Sequence, residues 1–175
     1  MMERNPMFFQ GNRRAMYLSV RGTITQIMRG GRAGFGGCSQ MIEVQDAEGG
    51  ITNFFITPDT YVVDFEPLSQ GMEVEVFYNA SLPAALIYPP QFTAAVVAPA
   101  RESQSVHVGF FDRNLLAADR SLQLNLGRQT EVVTRNNQTF SGNPGGNVLI
   151  VLYSRTTRSI PPQTTPEKVI VMCGL

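Results

Sequence analysis

The segment that decides the fold reads LIYPPQ at residues 86–91, and its last letters return as IPPQ at residues 160–163. A strand-like run follows each copy, FTAAVVA at 92–98 and EKVIVMC at 167–173. Two consecutive prolines hold the backbone extended and remove two amide donors, so each PPQ is typical of a stiff segment that leads into a strand. Its return 72 residues later is typical of a chain with an internal repeat.

The residues around the two PPQ segments also match. NFFITPDTYVV at 53–63 aligns with QLNLGRQTEVV at 123–133 at an offset of 70. GMEVEVFY at 71–78 aligns with GNVLIVLY at 146–153 at an offset of 75, and the drift in offset is what loop insertions would produce. The aligned pairs include Thr60 with Thr130, Val74 with Leu149, Val76 with Val151 and Tyr78 with Tyr153. We therefore predict an internal duplication and expect the four Val and Leu side chains to be buried.

Length and composition fit two small globular units. The chain has 175 residues, of which 43% are hydrophobic and 16% are charged, so each repeat of roughly 75 residues can just hold its own core. No stretch approaches the ~20 apolar residues of a membrane span. The apolar run Met7–Phe9 is too short for the core of a secretory signal, so we expect no membrane span and a cytoplasmic protein.

Alternating apolar and polar residues recur along the chain, whereas no stretch shows a sustained helical stripe. Strands are predicted near 17–28, 39–46, 51–57, 71–79, 92–98, 106–112, 120–126, 147–154 and 167–173. Five short strands with a long first strand favour an OB-like Greek-key barrel. The predicted fold is all-β, with two tandem, closely joined OB-like barrels, and a single β-sandwich is the alternative. The predicted boundaries are an arm at 1–16, a first unit at 17–98 and a second unit at 92–175, with strand 92–98 shared.

Charge is unevenly distributed along a chain whose formal net charge is zero. Residues 1–37 carry six Arg and one Glu (+5), residues 38–100 carry eight acids and no Lys or Arg (−8), and residues 101–175 carry eight bases and five acids (+3). An acidic body flanked by basic segments can steer a partner or attract its own arm. We favour the interpretation that the uneven charge serves contacts within the chain or between copies of it.

The usual equipment of enzymes and metal sites is missing from the sequence. The chain has one histidine, His107, two distant cysteines, Cys38 and Cys173, and no Trp. No nucleophile-elbow, zinc-protease or phosphate-loop motif occurs. We therefore expect no catalytic residue, no metal and no cofactor, a packed or surface position for His107, and buried cysteines that act as small hydrophobes.

The stretch RGGRAGFGG at 29–37 lies between the first two predicted strands. In an OB barrel this loop is one of those that bind oligonucleotides and oligosaccharides, and Arg29, Arg32 and Phe35 could supply phosphate contacts and a stacking platform. The −8 body beneath the loop repels phosphate, so nucleic acid is disfavoured. The leading hypothesis is a non-enzymatic binding or assembly module for a protein partner or for self-association, with the apolar PMFF at 6–9 docking on a neighbour. Binding of single-stranded nucleic acid or oligosaccharide through the 29–37 loop is the alternative.

Several segments resemble a family of uncharacterised bacterial proteins built from the same duplicated unit. The resemblance spans about residues 17–173 and rests on RGTITQI at 21–27, TYVVD at 60–64, IYPPQFTAAVVA at 87–98, FDRNLLAADRSLQLNL at 111–126 and SIPPQTTPEKVIVM at 159–172. Such units also occur beside stalk-type domains named after the N-terminal region of copper amine oxidases. The resemblance implies a non-catalytic role at the cell surface or in assembly.

Overall fold

The chain folds into two small groups of β-strands that pack against each other. The computed structural model describes residues 15–30 and 36–175, and within these ranges the secondary structure is β-strands plus one 3-10 turn at Val63–Phe65. The strands are β1 (Tyr17–Arg29), β2 (Gln40–Gln45), β3 (Ile51–Ile56), β4 (Tyr61–Val62), β5 (Glu73–Asn79), β6 (Gln91–Pro99), β7 (Ser105–Phe111), β8 (Gln123–Leu124), β9 (Glu131–Thr134), β10 (Asn147–Tyr153), β11 (Gln163–Thr164) and β12 (Lys168–Met172). The all-β prediction is confirmed.

Strands β1–β6, the first unit, form a closed five-stranded barrel with β4 beside it. The order is β3-β2-β1-β5-β6-β4, and a further pairing of β3 with β6 closes the ring. The 13-residue β1 serves two neighbours: Tyr17–Thr23 pairs with β5 and Thr23–Arg29 pairs with β2, both antiparallel. β6 runs parallel to β3 and β4 and antiparallel to β5.

Strands β7–β12, the second unit, repeat part of this arrangement with shorter elements. β7, β10, β12 and β9 form a four-stranded sheet, while β11 and β8 form a separate parallel pair. Two isolated bridges, Phe111 with Ala117 and Leu116 with Gln123, connect the segment after β7 to β7 and to β8. This segment occupies the place that the β2 hairpin has in the first unit.

Matching backbone contacts occur at matching positions of the two units. Both PPQ segments begin with a cis peptide bond, at Tyr88–Pro89 and Ile160–Pro161. In both, the carbonyl of the second proline accepts an amide hydrogen bond, and in both a Gly amide donates to the carbonyl of the first strand. These bonds are Asn53 N to Pro90 O (2.9 Å), Gln123 N to Pro162 O (2.9 Å), Gly71 N to Ile24 O (2.8 Å) and Gly146 N to Phe111 O (2.8 Å).

Apolar side chains form three clusters, one inside each unit and one between them. The strands that face the junction bury both surfaces, because neighbouring residues point to opposite sides of a strand. Thus Val76 points into the first unit and Phe77 into the junction, as Val151 and Ile150 do in the second unit. The junction cluster contains Tyr61, Val63, Phe77, Val96, Ala98, Val108, Val133, Val148, Ile150, Leu152, Ile170 and Met172.

The burial predicted for the repeat is confirmed. Val74, Val76, Leu149 and Val151 each have 0% of their surface exposed. β6 hydrogen-bonds with β3, β4 and β5, and it reaches the second unit through the side chains of Val96 and Ala98. Within the described ranges there is no helix with the length and hydrophobicity that crossing a membrane requires.

Candidate functional site

The Gly-rich loop that the sequence suggested as a site is described only at its ends. Arg29 is the last residue of β1, where it is exposed and lies opposite Gln40. With Cys38 and Thr57 it borders an open cavity of ≈ 500 Å³. Arg32 and Phe35, the other two predicted residues, lie outside the described residues.

An unusual surface lies on the loop between β5 and β6. Its residues Leu82–Tyr88, here the apolar loop, read LPAALIY and are all exposed. Leu82 is 62% exposed, Leu86 104% and Tyr88 83%. Single exposed apolar residues are ordinary, whereas contiguous ones mark contact surfaces.

Both ends of the apolar loop are fixed to the barrel. At its start, the amide of Met16 donates to Ser81 Oγ (3.0 Å) and the carbonyl of Met16 accepts from Ala80 N (2.7 Å). At its end, the cis Tyr88–Pro89 bond leads into β6, where Phe92 stacks on Tyr78 with ring centroids 4.0 Å apart. Met16 is itself 58% exposed and extends the apolar surface. The loop therefore presents its side chains on a firm base.

The corresponding loop of the second unit has a different chemistry. Residues 154–160, here the basic loop, read SRTTRSI and contain two Arg. Hydrogen bonds stabilise this loop from within: Thr157 and Ser159 join through their hydroxyls (2.6 Å), and the Arg155 carbonyl accepts from Thr164 Oγ1 (2.6 Å). Ile160, before the cis proline, is fully exposed but isolated among polar residues. The same position in the second unit therefore carries polar and basic residues, so the position of the apolar loop in the fold does not by itself explain its apolar composition.

His107 lies in β7 and lines a cavity of ≈ 250 Å³. Tyr17, Ala118 and Asp119 are among the other residues around it. Burial lowers the pKa of His107, and the charge of Asp119 opposes this shift. Burial raises the pKa of Asp119, but hydrogen bonds from Ser121 and the charge of His107 outweigh it, so the pKa lies below its usual value. A neutral imidazole beside a carboxylate could accept or donate one proton.

The cysteines are placed differently from the expectation. Both are free and exposed, so the prediction of buried small hydrophobes is wrong. Cys38 lies in the turn before β2 and Cys173 follows the end of β12, so neither has a sheet face that would cover it. Among the residues that the structure describes, no three His, Cys, Asp or Glu side chains come together in a way that could hold a metal ion.

The apolar loop could have been found from the sequence. It belongs to LPAALIYPP at 82–90, the longest run without a charged or strongly polar residue outside the predicted strands. Whether such a run is buried or exposed depends on tertiary structure, which the sequence pattern does not show. Comparisons with family models, with curated proteins and with solved structures return no match, so the site has to be interpreted from its own chemistry.

Proposed function

We propose that this chain is a non-enzymatic binding and assembly module built from two OB-like units, and that its partner is a second copy of the chain. The observation that carries the proposal is the apolar loop, with seven consecutive exposed apolar residues held on a fixed base. Fully burying one Leu or Ile side chain contributes about 1.5–3 kcal/mol. A partner that covers Leu86 and Ile87 therefore gains a large part of the free energy of a specific contact.

The surroundings of the loop favour self-association. Residues 1–14 precede Ala15, and the next residue, Met16, is hydrogen-bonded to the base of the apolar loop. They include the apolar PMFF at 6–9, and they carry three Arg and one Glu, a charge of +2 that complements the −8 of residues 38–100. Because every copy offers both an arm and a loop, two copies can exchange them reciprocally and close a symmetric dimer.

The Gly-rich loop with Arg29, Arg32 and Phe35 is the second candidate, since Arg29 is exposed beside an open cavity. The Gly-rich loop joins β1 to β2, and the apolar loop joins β5 to β6, the fourth and fifth strands of the barrel along the chain. Those are the two loops with which OB barrels bind their ligands. The acidic body disfavours phosphate, so a neutral or cationic partner suits this end of the barrel better.

The proposal can be tested by measuring the mass of the protein in solution by sedimentation velocity between about 1 and 200 μM. We expect a dimer, and we expect the double variant Leu86→Ser/Ile87→Ser to weaken it by about 10- to 100-fold, since each tenfold corresponds to ~1.4 kcal/mol. Ile160→Ser is the matched control, because it removes an equally exposed side chain before the other cis proline. Removal of residues 2–14 should also give a monomer.

Two results would contradict this proposal. One is a wild-type chain that stays monomeric over the whole concentration range. The other is a Leu86→Ser/Ile87→Ser variant that dimerises as tightly as the wild type. If the wild type is monomeric and removal of residues 2–14 produces dimers, the arm covers the loop of its own copy.

A further inference from the structure

A second open cavity, of ≈ 500 Å³, lies where the two units meet. It is separate from the apolar loop and is lined by side chains from both units. The residues that matter for its chemistry are Tyr61, Phe65 and Glu66 from the first unit and Arg135 and Asn136 from the second. Its volume falls in the range of ligand pockets, which occur preferentially at junctions between folded units.

Phe65 is held at the rim of this cavity by an unfavourable backbone. Asp64 (φ 61°, ψ 13°) and Phe65 (φ 53°) are consecutive non-glycine residues in the left-handed region. A residue with a Cβ adopts this conformation only at a cost, and such residues cluster at ligand-binding sites. The result of this conformation is a Phe ring that is 62% exposed and lies edge-on to Tyr61 at 5.6 Å.

Ion pairs hold the backbone in this conformation. The guanidinium of Arg101 contacts Asp64 Oδ2 at 3.0 Å and also binds Glu66 Oε1, so it bridges the residues on either side of Phe65. Arg101 lies just after β6, so it is a fixed point. An exposed aromatic ring that is strained and clamped in this way is positioned for contact.

The second unit supplies hydrogen-bonding groups opposite the ring. Arg135 donates from Nη2 to the carbonyl of Asp59 (2.7 Å), which fixes the plane of its guanidinium and leaves further N–H donors. Asn136 accepts from Thr134 Oγ1 (2.5 Å) through its side-chain oxygen. Its Nδ2 amide makes no hydrogen bond with the described part of the chain. Burial and the charge of Asp64 raise the pKa of Tyr61, against a lowering by Arg135, so its hydroxyl stays protonated.

The charges around the cavity exclude strongly ionic ligands. Asp64 and Glu66 share one cation, Arg101, so this trio keeps one negative charge, and Arg135 balances it. Phosphate groups would find no net attraction to these four side chains, and the other six acids of residues 38–100 would repel them. An uncharged ligand with one apolar face and several hydroxyl groups fits an exposed ring opposite planar donors.

We propose that this cavity binds a neutral saccharide. The ring of Phe65 stacks on the C–H face of one sugar, while Arg135 and Asn136 donate to its hydroxyl oxygens and Glu66 accepts from a hydroxyl group. OB barrels include oligosaccharide binders, although through other loops than this one. Because both units contribute, the site exists only where they are joined.

The test is an NMR titration of the full chain with three neutral probes, maltohexaose, cellohexaose and chitohexaose, each up to about 10 mM. We expect at least one of them to bind, and we expect Phe65→Ala to weaken that binding by at least about tenfold. Tyr88→Ala is the control, since Tyr88 is an exposed aromatic in the apolar loop. Asn136→Ala should weaken binding by a smaller factor, without touching the strained turn.

The proposal is overturned if none of the three saccharides binds. It is also overturned if Phe65→Ala and Asn136→Ala both bind as the wild type does. A titration with single-stranded oligothymidine at low salt tests nucleic acid as the other class of ligand. If the oligothymidine binds more tightly than the saccharides and Phe65→Ala removes this binding, the cavity is a nucleotide site instead.

Discussion

At the scale of single residues, His107 shows how one position combines packing with a titrating charge. Its ring lies edge-on to Phe111, with centroids 5.4 Å apart. A Cβ on Gly109 would lie 3.3 Å from His107 Nε2, so Gly109 leaves room for the ring. The burial that lowers the pKa of His107 acts against the nearby carboxylate of Asp119 and prevails.

This arrangement predicts a pH dependence of stability. Since the folded pKa lies below the unfolded value of ~6.5, the unfolded chain binds more protons. The contribution of His107 is therefore fully present above pH ~6.5 and is lost as the pH falls through the folded pKa. We expect His107→Gln to flatten the pH dependence of the free energy of unfolding in this interval. Urea denaturation between pH 5 and 8 measures this dependence.

Asp119 provides the control for this pH dependence. Its folded pKa is lowered below the usual value, so its own contribution is lost only at more acid pH, below about 4. Because His107 is the single histidine of the chain, an unchanged slope in His107→Gln would show that His107 does not control stability near neutral pH.

Thr60 and Thr130 show what a sequence can and cannot reveal about a residue. Their alignment is visible in the repeated Thr-x-Val-Val, but their role is not. Each hydroxyl accepts from the amide three residues earlier and donates to a carbonyl far along the chain. These bonds are Thr57 N to Thr60 Oγ1 (3.0 Å), Gly127 N to Thr130 Oγ1 (3.1 Å), Thr60 Oγ1 to Ala94 O (2.7 Å) and Thr130 Oγ1 to Pro166 O (2.7 Å). The distant partners depend on tertiary structure, which spacing alone cannot supply.

At the scale of elements, β1 depends on the glycine that divides it between two neighbours. A Cβ on Gly22 would lie 2.2 Å from the carbonyl oxygen of Gln45, which is backbone and cannot turn away. Gly22 lies opposite Val74 in β5, close to the point where β1 leaves β5 for β2. The close approach of the two backbones there is what lets one long strand enter both pairings.

We expect Gly22→Ala to lower the free energy of unfolding by about 1–3 kcal/mol or more, because overpacking against backbone forces the strands apart. Urea denaturation at constant pH measures this change. Gly37→Ala is the matched control, because a Cβ there would meet no atom of the described residues within 4 Å. Equal stability of Gly22→Ala and the wild type would mean that the β1–β2 pairing tolerates a shift that the geometry excludes.

The longer strands were predictable and the short ones were not. Alternation of apolar and polar residues identified β1 and β5 closely, and the strands predicted at 106–112 and 147–154 match β7 and β10 to within one residue, although β10 buries both of its faces. β4 and β11 have only two residues each, and they exist because they lie parallel to a strand from elsewhere in the chain. The predicted strand at 120–126 shortens to β8 (Gln123–Leu124) for the same reason. Pairing, and not local pattern, defines these elements.

At the scale of the whole molecule, the junction cluster packs the two units against each other through one shared apolar core. It holds buried side chains from β4, β5 and β6 on one side and from β7, β9, β10 and β12 on the other. Separating the units would expose this apolar surface to water, which is costly in proportion to its area. The predicted duplication suggested two closely joined units, each with a core of its own, but not the residues of this third cluster, because a repeat pattern does not show which faces meet.

Coupling through the junction cluster predicts how damage in one unit spreads to the other. Leu149 is fully buried inside the second unit and takes no part in the junction cluster. Leu149→Ala should lower the free energy of unfolding by about 2–5 kcal/mol, as cavity-forming substitutions do. If the units unfold together, the free energy of opening that protects the slowest-exchanging amides must fall by the same amount in β2 and β3 as in β10. This would occur although no atom near β2 and β3 has changed. Independent units would instead leave β2 and β3 with their original protection. We expect the shared loss, since a first unit left folded alone would expose Phe77 and Val96, which the junction now buries.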